Sequence, residues 1–175
     1  MKKYILAIIA LMFIACKDDK KTPEADTPKE TFNVSFDLIL KKDDKLHLYF
    51  TQDNTLNFSE ENSVWVDLKG SEKMQTITFK LPEGVVPTNL RVDFGIGVNE
   101  EQSDLELKTF SMEYYGKKVV AEGDKIFEFF YINESNTARI EGTTIIKKLD
   151  KKQAVGPMIY PHTLLTEKAK EIARG

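Results

Sequence analysis

Four side chains on three alternating segments are of the types that hold a sugar. They are Trp65 in SVWVDL, Tyr49 in LHLYF, and Arg91 with Asp93 in TNLRVDFG. In each segment the apolar residues keep one parity: Val64, Val66 and Leu68; Leu46, Leu48 and Phe50; Leu90, Val92 and Phe94. Period-two alternation turns the other parity, and with it all four side chains, to the opposite face of a strand. A flat aromatic ring stacks on the apolar CH face of a pyranose, and planar polar groups beside it bridge the hydroxyls. His47 shares the outward parity. Exposed tryptophan is uncommon, so cover by a loop or by the C-terminal segment is the competing expectation for Trp65.

Other chemistries find less support. The acidic loop DNTLNFSEEN (53–62) has Phe58 where an EF-hand needs glycine and Val64 where it needs the bidentate glutamate. NEEQSD (99–104) could pin a calcium ion in a loop, although such loops are usually only solvated. His47 and His162 lack any nearby G-x-S-x-G nucleophile motif, and GIG (95–97) lacks the rest of a phosphate-binding fingerprint. A carboxylate pair for glycoside hydrolysis is defined by its separation in space, which sequence does not give. No cofactor, no metal and no catalytic residue is expected.

The N-terminus carries a different kind of information. Lys2 and Lys3 precede an apolar run from Tyr4 to Ala15, and Cys16 follows directly. This is the layout of a secretory signal peptide, and about a dozen apolar residues fall short of the roughly 20 that span a bilayer. FIAC resembles the lipobox of bacterial lipoproteins, with Phe13 where leucine is usual. The resemblance implies that Cys16 is the lipid attachment site and first mature residue. Lys17, Asp18 and Asp19 resemble the lysine-then-acidic signal that sends lipoproteins of some Gram-negative lineages to the outer face of the outer membrane. The expected address is therefore a lipid-anchored protein on the cell surface, with a periplasmic orientation as the alternative. Two or three acyl chains anchor stably where one does not.

The chain has 25 basic and 28 acidic side chains; loss of residues 1–15 removes two lysines and leaves 23 against 28. That balance argues against nucleic acid as a partner, since phosphates demand a basic footprint. With its only cysteine on lipid, the mature chain has no disulfide and no cysteine-ligated zinc. Its stability must come from an apolar core.

The elements expected to position the four side chains follow in order. Residues 1–15 read as signal peptide and 16–31 as a lipidated flexible tether, too polar to bury surface. Residues 32–150 read as one β-sandwich domain, and 151–175 as a C-terminal extension with a short helix. The spacing predicts strands over 32–40, 46–50, 63–68, 74–81, 88–95, 104–115 and 137–148, the first two joined as a hairpin through KKDDK. In the long segment Leu105 and Leu107 take one phase while Phe110, Met112 and Tyr114 take the other, which predicts a β-bulge or change of sheet near Lys108 and Thr109. KIFEFF (125–130) suits either a short helix or a buried strand. Leu165, Ala169 and Ile172 predict an amphipathic helix with Thr163 as N-cap and Gly175 beyond its end, packed on the sandwich.

The run VWVDLKGSEKMQTITFKLPEGVVPTNLRVDFGIG, followed by DLELKTFSMEYYGK, resembles jelly-roll sandwiches similar to carbohydrate-binding modules of bacterial envelope proteins. Leu81, Pro82, Pro87, Leu90, Arg91 and Asp93 carry the match. The resemblance implies an all-β, antiparallel, jelly-roll-like sandwich and transfers no sugar-binding residue. The leading expectation is a non-catalytic envelope lipoprotein that binds glycan. A protein-interaction or accessory module of an envelope complex is the alternative, and a carbohydrate-active enzyme the third.

Overall fold

The computed structural model describes residues 31–95 and 101–174. The signal segment, Cys16, Lys17, Asp18, Asp19 and residues 20–30 of the tether lie outside the described residues, as does part of the NEEQSD loop. The strands are β1 (Asn33–Leu40), β2 (Asp44–Thr51), β3 (Ser63–Leu68), β4 (Gln75–Lys80), β5 (Asn89–Phe94), β6 (Leu105–Tyr114) and β7 (Lys117–Glu122). A helical turn, α1 (Ile126–Phe129), leads into β8 (Phe130–Ile132), β9 (Thr137–Arg139), β10 (Ile145–Lys148), β11 (Met158–Pro161) and the helix α2 (Thr163–Ala173).

These strands form two antiparallel sheets. In the first, β4, β1 and β6 lie side by side, β10 and β7 both pair with β6, and β9 flanks β10. In the second the order is β3, β2, β5, β11, β8. The chain passes between sheets at β1–β2, β3–β4, β4–β5, β5–β6, β7–β8, β8–β9 and β10–β11, so the two sheets are interleaved along the sequence. The expected all-β sandwich is what the chain adopts.

Alternation explains the core. Val34, Phe36, Leu38 and Leu40 from β1 face Leu46, Leu48 and Phe50 from β2 and Leu90, Val92 and Phe94 from β5, all buried. Phe36 lies at the centre, its ring 6.0 Å from Phe94 and 5.2 Å from Phe110. Such pairs add about 0.5–1.5 kcal/mol each beyond their area burial.

β1 and β2 do not form the expected hairpin; they belong to different sheets. A hairpin and an arch between sheets present the same period-two pattern, so alternation does not distinguish them. Residues 41–43, reaching at most about 3.5 Å each, are long enough to cross the roughly 10 Å between packed sheets. The arch is held by Ser103 Oγ, which accepts from the Lys41 amide at 3.1 Å, and by Asp43 Oδ1, which accepts from the Gly70 amide at 2.9 Å.

The expected bulge is present. Asp37 opposes Thr109 and Leu38 opposes Leu107, so Lys108 is an extra residue with no partner on β1. It lets Leu105 and Leu107 on one side and Phe110, Met112 and Tyr114 on the other all point inward. It also divides the other edge of β6, with β10 pairing at Leu105 and Glu106 and β7 from Thr109 onward.

The structure settles one open segment and changes two others. KIFEFF is helical turn and then strand, so both halves of the ambiguity are used in succession. The 137–148 stretch is two strands rather than one, β9 and β10, paired with each other. Residues 117–122, outside the predicted strands, form β7 after a two-residue turn at Tyr115 and Gly116, with φ of 48° and 76°.

Residues 151–174 are integral to the sandwich rather than appended to it. β11 sits between β5 and β8 in the second sheet. α2 packs against β5 and β11 of one sheet and β6 and β7 of the other, burying Leu165, Ala169 and Ile172 as expected. Thr163 is the first helical residue and not the N-cap, because the His162 amide donates to the Phe129 carbonyl oxygen at 2.7 Å and stays extended. Gly175 lies outside the described residues.

Candidate functional site: an aromatic face on the second sheet

Strand register decides which outward residues meet. On the outer face of the second sheet His47 stands opposite both Trp65 and Asp93, and Asp93 opposite Met158. Two residues along, Tyr49 stands opposite Ser63 and Arg91. The four side chains singled out from sequence therefore occupy two adjacent rows across β3, β2 and β5. Together with Glu60, Gly95, Ala154, Val155 and Met158 they line a cleft of about 260 Å³.

Trp65 is 45% exposed; α2 packs elsewhere, and among the described residues no loop buries the indole. One face of its indole stacks on the His47 imidazole, 3.6 Å between centroids with 18° between planes. Tyr49 departs from expectation, being only 8% exposed. Phe58 meets its ring edge-on at 6.4 Å, the Arg91 guanidinium lies 4.5 Å from its centroid, and its hydroxyl donates to Glu60 Oε1 at 2.6 Å. Tyr49 is thus a support beneath the loop between β2 and β3 and not a second open platform.

Arg91 and Asp93 also depart from expectation, because they satisfy each other. Arg91 Nε donates to Asp93 Oδ1 at 2.7 Å, and a second bond joins Nη2 to Oδ2. This two-pronged geometry is the strong form of the pair. It fixes the guanidinium plane between the Tyr49 and Tyr160 rings.

His47 is the deepest polar group of the site, 1% exposed. Its Nε2 is buried without a hydrogen-bond partner, and the closest acid, Glu60 Oε2, stands 3.6 Å away, beyond hydrogen-bond range. Burial pushes the imidazole below its usual pKa, against the pull of Glu60 and Asp93, so the ring is neutral at pH 7. Burial, and next the bond to Glu60, push the Tyr49 phenol up. Glu60 is left with one oxygen, Oε2, close to an unsatisfied nitrogen at the floor of an open cleft.

The wall opposite Trp65 depends on a glycine. At Gly156 a Cβ would stand 1.8 Å from the Phe94 carbonyl oxygen. Only glycine lets the link from β10 to β11 close on the end of β5 and bring Ala154 and Val155 to the cleft.

Sequence reasoning missed Glu60, Phe58, Tyr160 and Tyr131. Tyr160 and Tyr131 lie on strands of four and three residues, too short for a periodic signal. Glu60 sits in a 3-10 turn within an acidic loop, and only the register of β2 with β3 brings it over Tyr49. Among the described residues no group of three or more His, Cys, Asp or Glu side chains is arranged to hold a metal ion. No family model, no curated protein and no solved structure matches this chain, so the reading of the site rests on its own geometry.

Proposed function

We propose that this chain is a lipid-anchored envelope protein, displayed on the outer membrane surface through Cys16, whose sandwich binds glycan without transforming it. The observation that carries the glycan reading is the half-exposed Trp65 indole, held flat by His47 beside Glu60, Arg91 and Asp93. One face of the ring is free to stack on a sugar while the other is fixed, so little rotamer freedom is lost on binding. The non-catalytic reading is supported by Asp93, whose two oxygens are taken up by Arg91. A protein partner docking through the C-terminal helix draws less support, since the apolar residues of α2 are already buried.

The test is the fluorescence of Trp65, the only tryptophan, in a soluble domain beginning near Thr31, titrated with a panel of glycans. A saturable shift in wild type, together with calorimetric binding that Trp65→Ala abolishes, supports the reading. Quencher-accessible emission that no glycan alters removes it. The anchor is tested by incorporation of labelled fatty acid in wild type and in Cys16→Ala.

A further inference from the structure

The aromatic groups of the outer face do not stop at the cleft. Tyr160 on β11 lies on the far side of Arg91, whose guanidinium is 5.5 Å from its ring. Tyr131 on β8 stands opposite Tyr160 in register and stacks on it at 5.8 Å and 27°. His162 closes the series 5.1 Å from Tyr131. Phe58 bridges the middle, edge-on to both Tyr49 and Tyr160. A continuous band, of rings on four strands and the Arg91 guanidinium on β5, thus crosses the second sheet. Its large exposed apolar rings are Trp65 (45% exposed) and Tyr131 (41% exposed), on the two outermost strands.

The spacing of those two rings is set by the sheet. Trp65 and Tyr131 lie on the outermost strands, four strand intervals apart, which is about 19 Å at roughly 4.8 Å per interval. One strand interval is close to the length of one pyranose in an extended chain. Among the described residues lining the cleft the charged groups are Arg91, Asp93 and Glu60; Arg91 pairs with Asp93, so the Glu60 carboxylate at the rim, its side chain 73% exposed, leaves the lining one negative charge in excess. Such a face accepts hydrogen bonds from hydroxyls and repels acidic substituents.

We infer that the ligand is an uncharged, extended oligosaccharide of four to five units lying across the strands, with its ends stacked on Trp65 and Tyr131. This rests on the glycan reading and adds chain length, orientation and charge class to it. The unpartnered, buried His47 Nε2 beside Glu60 Oε2 marks the deepest subsite, next to Trp65. A ligand hydroxyl, which both donates and accepts, suits that pair.

The test is calorimetric titration of the soluble domain with neutral linear α- and β-linked gluco- and manno-oligosaccharides of one to six units, and with uronic-acid oligomers of equal length. The affinity of the best neutral series should rise with length and level off at four or five units, with the acidic series at least ten-fold weaker. Tyr131→Ala should lower affinity for the pentasaccharide about ten-fold, the scale of one stacking contact, and leave the disaccharide unchanged. Trp65→Ala should weaken both. A disaccharide bound as tightly as a pentasaccharide, or a pentasaccharide indifferent to Tyr131→Ala, overturns the extended-ligand inference and leaves a single-sugar site at Trp65. If no saccharide of any length binds the wild type, this inference and the glycan reading fall together. Near-ultraviolet circular dichroism of each variant checks that the sandwich is retained.

Discussion

Deleting Lys108 should leave the fold nearly as stable as wild type, whereas deleting Ser111, three residues further along β6, should unfold it. Lys108 is the extra residue of the bulge. Without it Leu105, Glu106, Leu107, Thr109 and Phe110 alternate without a break, and the native pairs Leu38 with Leu107 and Asp37 with Thr109 become consecutive. No inward side chain turns outward. What is lost is the bend of the strand and the Lys108–Glu106 ion pair at 2.6 Å, whose side chains are 38% and 34% exposed. Such a pair is worth about 1 kcal/mol at most, so the deletion should cost below about 2 kcal/mol. Removing Ser111 instead turns Met112 and Tyr114 outward and drives Glu113 inward. Two large apolar side chains at about 2–3 kcal/mol each, with a buried glutamate in addition, reach the whole stability of a typical domain, about 5–15 kcal/mol. Closing the bulge absorbs the shift only by turning Thr109 inward and Phe110 outward, which costs about 3–5 kcal/mol for a buried ring packed on Phe36, Phe129 and Phe130. Urea unfolding followed by circular dichroism gives midpoint and slope for both variants. Equal destabilisation by the two deletions would refute the register argument, since it would mean that Lys108 is needed for more than phase.

Three further outcomes follow from the site. Because burial holds His47 below its unfolded pKa of about 6.5, the folded state binds fewer protons than the unfolded one just below that pH. Stability should therefore fall on acidification from pH 7 to 5, by at most about 1.4 kcal/mol per unit from this group, and His47→Gln should flatten the melting profile. An unchanged profile in the variant would show that Glu60 and Asp93 cancel the burial effect. Tyr49→Phe removes the donor to Glu60 and should cost about 1 kcal/mol while raising hydrogen exchange across residues 53–62; exchange equal to wild type would mean that Phe58 alone holds the loop. Gly156→Ala sets a methyl against the Phe94 carbonyl and should lower the melting temperature by several degrees; an unaltered temperature would place the β10–β11 link less tightly than described.

Local pattern carried much of this molecule. The strands from β1 to β6 follow from alternation, and the bulge at Lys108 follows from two apolar phases in one segment, because a strand with one buried face cannot change phase without an extra residue. The helix followed from Leu165, Ala169 and Ile172, and the outward parity of Trp65, Tyr49, Arg91 and Asp93 from their buried neighbours. Tertiary structure decided the rest. Whether β1 and β2 pair or arch apart leaves no trace in parity, and strands as short as β8 and β11 carry too few residues to show a period. Parity assigns a side chain to a face but not to a neighbour. Register between strands set Trp65 on His47, covered Tyr49 with Phe58 and Glu60, and drew Tyr160 and Tyr131 into one band. Those pairings follow from how two whole faces bury against each other, a property of the assembled sheets that no single segment contains.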